Sequence, residues 1–385
     1  MSDANRIRVS MVAESTPGTT PATPTMLVLN TTGQSLRDQI GYQQSQTIRN
    51  DANVQDLIRL SKSAGGGIPM ELVYPTANES LWVALRAVMR TTQTASATNS
   101  TTAGHGSGTN IVTRVAGSWI TDGFVVGDIV KISNDAVDAN NRYAKVTDVV
   151  ALSLTLDFGD GDLFSGIDGD ITVTRGARMT NGTTDYSYSI EVARLDVSKY
   201  QVFTGQVFNT MDIQVADQAI TTANVGLTGI SSSRSGSAIA GATYSDPTAT
   251  PVLDALGVPN FYLGSVSYPA KSISFNIKNN AAARTQIGSL GPQSIRRGSF
   301  DVTGRVQAYF EDFTEMDSYA DNTASDFWMV LENPSSQALA ISIPQMKWAD
   351  AGADTRGLNQ DDYLEGTFQA YLDPVELCTM KVFLF

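Results

Sequence analysis

The chain has 385 residues, 42% hydrophobic and 17% charged, which supplies apolar side chains for a core and too little charge for a disordered chain. Its formal net charge of -13 argues against a surface that grips nucleic-acid phosphates. One cysteine, Cys378, and one histidine, His105, exclude an intrachain disulfide and a cysteine zinc site, and nearly exclude nucleophile–histidine catalysis.

The length suits two or three domains. Thr, Ser, Gly and Ala are abundant while Lys and Glu are sparse, a bias towards strands and turns. The start, MSDANRIRVSMVAEST, lacks the apolar stretch of a signal peptide, and no run reaches membrane-spanning length. Synthesis in a reducing cytoplasm and no membrane insertion are expected.

In chain order, residues 1–35 are rich in Thr and Pro (STPGTTPATPT, 15–25) and read as an extended arm lying on another surface. A first compact unit takes residues 36–95 and resumes at 177–220. Two polar strand-like stretches, 37–50 and 54–61, precede the glycine run Gly65, Gly66, Gly67 and the strand IPMELVY (68–74). ESLWVALRAVM (79–89) then places Leu81, Trp82, Leu85, Val88 and Met89 at helical spacing, with Thr76 or Asn78 as N-cap.

A Thr/Ser/Ala linker (91–109) opens onto an inserted small β-domain, 110–176, made of short strands such as WITDGFVVGDIVKIS and DITVTRG. This insert is expected to fold by itself and project outwards. The triplet DFG (157–159) has no companion kinase motif. Asp157, Asp160, Asp162, Asp168 and Asp170 do not follow calcium-loop spacing and read as a solvated turn, and His105 reads as non-functional. No catalytic, metal or cofactor constellation emerges; many aspartates leave paired-carboxylate chemistry formally open, yet no spacing selects a pair.

After the insert come the strands YSYSIEVARLD (186–196) and QVFNTMDIQV (206–215), then a connecting loop over 221–264. A second unit, 265–385, repeats the order of the first: polar strands (271–287), a glycine, a long strand (299–311), a helical stretch ending in Phe327 and Trp328, and two closing strands. The final VELCTMKVFLF (375–385) is too apolar for a solvated tail and reads as a strand touching another unit or ring. In the long strand Val302, Gly304, Val306 and Ala308 alternate with Asp301, Thr303, Arg305 and Gln307. The last strand alternates in the same way, so each has one packed and one wet face.

VAESTPGTTPATPTMLVLNTTGQSL, RNDANVQDLIRLSKSAGGGIPMEL, YSIEVARLDVSKYQVFTGQVFNTMDIQV and IGSLGPQSIRRGSFDVTGRVQAYFED resemble segments of the tail tube proteins of long, non-contractile bacteriophage tails. WITDGFVVGDIVKIS resembles a small accessory β-domain that recurs as an insert in phage virion proteins. The resemblance covers most of 7–215 and 265–373.

It implies an all-β, sandwich- or barrel-like fold with one helix per unit, and the repeated order of elements along the chain points to a tandem duplication of that fold. It also implies a non-enzymatic virion protein whose rings stack into the tail tube around an acidic channel for DNA. Three copies would make a pseudo-six-fold ring, with a ring of six as the alternative. The implied partners are further copies, the tape measure, the tail initiator and terminator, and DNA passing without tight binding. Under this reading Glu71, Asp212, Asp301 and Glu365, on the wet faces of the repeated strands, line the channel. A capsid decoration or receptor-binding, adhesin-like virion protein is the alternative function.

Overall fold

The computed structural model describes residues 3–74, 80–159, 161–247, 253, 260–264, 266–354, 357–358 and 360–385. The first half contributes β1 (Ile7–Ala13), β2 (Thr25–Val28), β3 (Arg37–Gln44), β4 (Leu57–Glu71) and α1 (Ser80–Met89). An inserted segment follows with β5 (Ala97–Thr98), β6 (Ala103–His105), β7 (Ile111–Arg114), β8 (Ile129–Ser133), β9 (Tyr143–Val149), β10 (Ser153–Asp157) and β11 (Asp168–Arg175). Then come β12 (Ala177–Thr180), β13 (Tyr188–Arg194), β14 (Lys199–Ala216), β15 (Thr222–Gly229), β16 (Ser231–Ser235) and β17 (Thr243–Ser245). The second half holds β18 (Asn260–Leu263), β19 (Val266–Ser267), β20 (Ala270–Lys278), β21 (Ala282–Arg284), β22 (Ser294–Arg296), β23 (Asp301–Tyr309) and α2 (Thr314–Ala320). It ends with β24 (Ser325–Glu332), β25 (Ala338–Asp354), β26 (Tyr363–Ala370) and β27 (Lys381–Leu384). The fold is all-β, with two short α-helices among the described residues.

Two long strands organise both halves. The N-terminal part of β14 pairs with β13, and its C-terminal part pairs with β15. β25 does the same with β24 and β26. The register shifts coincide. Tyr188 faces Gln206 and, past a bulge, Ile190 faces Phe203; Ser325 faces Met346 and, past the same bulge, Phe327 faces Ile343. A second shift lies between Phe208 and Thr210 in β14 and between Trp348 and Asp350 in β25. Bulges bend a strand, which lets each long strand leave one sheet and enter the next.

In the resulting main sheet the strands run β3-β4-β15-β14 and then β20-β23-β26-β25, the same four-strand order twice. β14 pairs with β20 from Thr210–Lys278 to Ala216–Ser272, joining the two sets into eight strands. Behind them lies a core containing Ile68, Met70, Val225, Met211, Ile213, Phe275, Val302, Val306 and Phe368, closed by α1 with Trp82, Leu85 and Val88.

In α2 the buried Glu315 accepts from Trp348 Nε1 at 2.6 Å. Burial raises its carboxyl above the usual carboxylate range, and the indole hydrogen bond opposes this only in part. A carboxyl raised on folding favours the folded state while protonated, and that stability is lost as pH climbs through the raised value. Glu315→Gln keeps an oxygen for Trp348 and removes the charge. Its melting temperature should exceed that of the unsubstituted chain near pH 8, with the difference closing towards about pH 4, where free glutamate takes up its proton. Calorimetry across that range checks it.

Several expectations are corrected here. Residues 7–13, expected to belong to an extended arm lying on another surface, form an integral strand of the first half: β1 pairs with β13 along its whole length, burying Val9 and Met11. The polar stretch before Gly65 and the strand after Gly67 form one strand, β4. The 221–264 segment is not simply a connection, because β15 pairs with β14 and β4 and carries the buried Ala223, Val225 and Leu227. The second helix stops at Ala320, and Phe327 and Trp328 sit on β24. The C-terminal run, by contrast, is the expected strand, β27, and it touches another unit, pairing with β12 of the first half as well as with β25 of the second. Thr76, Asn78 and Asp160 lie outside the described residues.

The insert closes on itself, β8-β9-β10-β7-β6-β11 and back to β8, around a core with Trp119, Phe124, Phe158 and Phe164. It does not simply project from the molecule. Ile129 and Tyr143 join Tyr262, Trp328, Val330, Ala338, Ala340 and Phe383 in a further apolar cluster on the second half. Lys131–Glu332 at 2.9 Å and Lys145–Asp326 at 2.5 Å flank that contact.

Candidate functional site

The main sheet has one face on the core and one facing away. Cross-strand register carries the outward face from β4 through to β25. Pro69, Asn224, Asp212, Asn276, Thr303, Gln369 and Lys347 form one continuous row. Side chains two residues apart share a face. Glu71 (opposite Thr222), Asp301 (opposite Lys278) and Glu365 (opposite Gln307) therefore stand on the same face as Asp212. The four acidic residues expected to act together thus share one surface, all half-buried.

Their surroundings differ. Asp212 accepts from Asn276 Nδ2 across the β14–β20 seam. Asp301 accepts from Asn280 Nδ2 at 2.5 Å and from Ser299 Oγ at 3.3 Å. Glu365 accepts from Arg305 Nη2 at 2.7 Å and Gln307 Nε2 at 2.5 Å, so its charge is matched on the face itself. Arg37, Lys278 and Lys347 are also on this face, as is Asp350. The surface mixes both signs, and of its cations Arg305 is the one that simple alternation along a strand identifies. Asp350 escaped because the bulge after Trp348 interrupts the alternation that identifies a wet face. Arg37 escaped because its orientation follows only from the pairing of β3 with Gly65.

The residues set aside earlier have structural surroundings. His105 is buried in the insert, stacked 3.8 Å from Phe164, with Nε2 2.5 Å from Asp135. Phe158 of the DFG triplet belongs to the insert core. Asp162 pairs with Arg142 at 2.5 Å, and Asp168 accepts from the Ala136 and Asp170 amides. Cys378 is buried, which pushes its thiol up to about 11. Among the described residues no group of three or more His, Cys, Asp or Glu side chains gathers as a metal site. No described helix is long and apolar enough to cross a membrane.

Among the described residues the sheet is uninterrupted, polar on its outer face and unpaired along β3 and the C-terminal part of β25. The family model for phage tail tube proteins matches residues 4–370, and the chain belongs to that family. It is a structural component of the virion tail, where it assembles with copies of itself into a tube; the decoration and receptor-binding alternative is thereby set aside. A search of curated proteins found no match.

Proposed function

We propose that three copies of the chain close into a pseudo-six-fold ring, with the polar face of the main sheet turned to a channel through which DNA passes. The observation that carries this reading is the β14–β20 seam, which joins two equivalent four-strand sets edge to edge inside one chain. The same joint between copies, β25 to the next β3, extends the sheet and satisfies the backbone groups of both edges. Eight strands from each of three copies, about 4.8 Å apart, give a backbone circle roughly 37 Å across, which strand tilt widens. Six copies would give roughly 73 Å on the same spacing, far more than a duplex needs.

In this arrangement Glu71, Asp212 and Asp301 give the channel wall carboxylates, while Arg305 offsets Glu365. A wall of mixed sign, on which Arg37, Lys278 and Lys347 are interspersed among carboxylates, offers phosphates no continuous basic track to hold them. The β3–β4 hairpin, with Tyr42, Leu57, Ile58 and Leu60 exposed, supplies apolar surface for stacking one ring on the next. The tail initiator and terminator would meet the two ends of the stack, and the tape measure its interior.

Electron microscopy of the purified chain, alone and with the initiator, is expected to show rings or tubes of constant diameter with three chains per ring. Persistent monomers with the initiator present would overturn the proposal.

A further inference from the structure

We infer that copies join with the C-terminal part of β25 laid antiparallel along β3 of the next copy, in the register that sets Gly352 opposite Arg37 and Asp350 diagonal to it. This rests on the ring reading above and gives it a specific interface.

The seam inside the chain is the template. After their matching bulges Thr210 pairs with Gly226 and Asp350 with Thr367, so Asp350 corresponds to Thr210 and Gly352 to Asp212. Gly226 pairs with Gly67 and Thr367 with Arg305, so Gly65 corresponds to Thr303. Gly65 pairs with Arg37 and Thr303 with Asn276, so Arg37 corresponds to Asn276. Carrying the Asp212–Asn276 pair to the open edges places Gly352 against Arg37, Asp350 against Gln39 and Ala353 against Leu36.

Both edges are available. Among the described strands β3 pairs only with β4, and β25 beyond Met346 pairs only with β26. The side chains fit that register. A Cβ on Gly352 would meet nothing within 4 Å, which leaves room for a long arginine to lie across it. Arg37 and Asp350 are both exposed, and diagonal neighbours in an antiparallel pair are within reach of long side chains. Ala353 over Leu36 continues the apolar row that Ile213 and Phe275 make at the inner seam. Asp38, which falls opposite Ala351, is already held in its own copy by Lys62 at 3.7 Å and Arg234 at 2.8 Å.

Opposed positions in antiparallel strands lie within disulfide range. Arg37→Cys chains mixed with Gly352→Cys chains and oxidised after assembly should give covalent dimers holding one of each. A chain with both cysteines should end at a covalent trimer. The buried Cys378 stays out of the reaction. Gln39→Cys with Gly352→Cys, slipped by two residues, should give little product. Arg37→Asp alone and Asp350→Arg alone should each lower tube yield by roughly tenfold or more, since like charges then meet at the seam, and the double exchange should restore it. If the unsubstituted chain makes no rings or tubes, the ring reading itself fails. If tubes form normally but the slipped pair links best, or neither pair links, this register is wrong and the ring reading stands. Single charge changes that leave tube yield unaltered would also overturn it.

Discussion

Trp328→Ala is expected to cost about 3–5 kcal/mol of folding stability, the usual range for removing a large buried aromatic side chain. Trp328 is fully buried and stacks on Tyr262 with ring centroids 4.2 Å apart. It also packs in the cluster where the insert, through Ile129 and Tyr143, meets the second half of the chain. The loss should therefore be felt on both sides of that contact. Tyr143 tests this from the insert side: its hydroxyl donates to Glu332 at 3.1 Å, and burial raises its pKa. Tyr143→Ala should destabilise the chain, and its effect should be less than additive with Trp328→Ala because the two share one cavity. Trp328→Phe should cost less, since among the described residues no acceptor meets Nε1. Urea unfolding of the unsubstituted chain, the three single variants and the double alanine variant reads these differences. Additive losses would mean that the insert and the second half are mechanically separate. The same contact predicts that deleting the insert uncovers Trp328, Ala338 and Phe383, leaving a chain prone to aggregation.

The second large effect concerns DNA release. Asp301→Lys exchanges repulsion for attraction at a position repeated in every ring of the proposed tube. One charge contact across water is worth about 1 kcal/mol or less at ordinary salt. Many copies act on one DNA molecule, however, and release should slow several-fold at low salt and recover as salt rises. Asp301→Lys sets a cation opposite Lys278, and Glu365→Lys sets one beside Arg305; Asp301 is chosen because, among the described residues, its replacement breaks no ion pair, whereas Glu365 is paired with Arg305. Phage carrying Asp301→Lys and forming normal tails supplies the measurement. Normal release at both salt concentrations would put this face on the outside of the tube.

Much of the architecture was legible from local pattern. Period-two alternation in 300–311 and 362–373 identified the wet faces, and helical spacing located α1. What was missed depended on partners distant in the sequence. The polar residues of β15 concealed a central strand, because half of its side chains face away from the core. The Thr/Pro content around residue 20 concealed β1, whose Val9 and Met11 have their partners nearly two hundred residues later. The bulges beside Phe208 and Trp348 reset the alternation by one residue, and only the pairing of both flanking strands reveals that. Docking of the insert follows from tertiary contact alone: its apolar contact is with the second half, while Asp128 pairs with Arg178 of the first.

The seam between β14 and β20 has a consequence for how a ring would be put together. Tethering two units in one polypeptide makes half of the joints intramolecular, so they form at a high effective concentration and only the remaining joints depend on protein supply. It also frees the two kinds of joint to diverge. Asp212 with Asn276 occupies one, while Gly352 and Arg37 stand at the corresponding places of the other. A chain whose successive joints carry different chemistry acquires a phase: a unit cannot take its sister's place without setting the wrong side chains against each other. In the proposed ring, carrying the four-strand set twice in one chain would thereby provide a proofreading device for an assembly that a ring of identical single units would have to complete with one repeated contact.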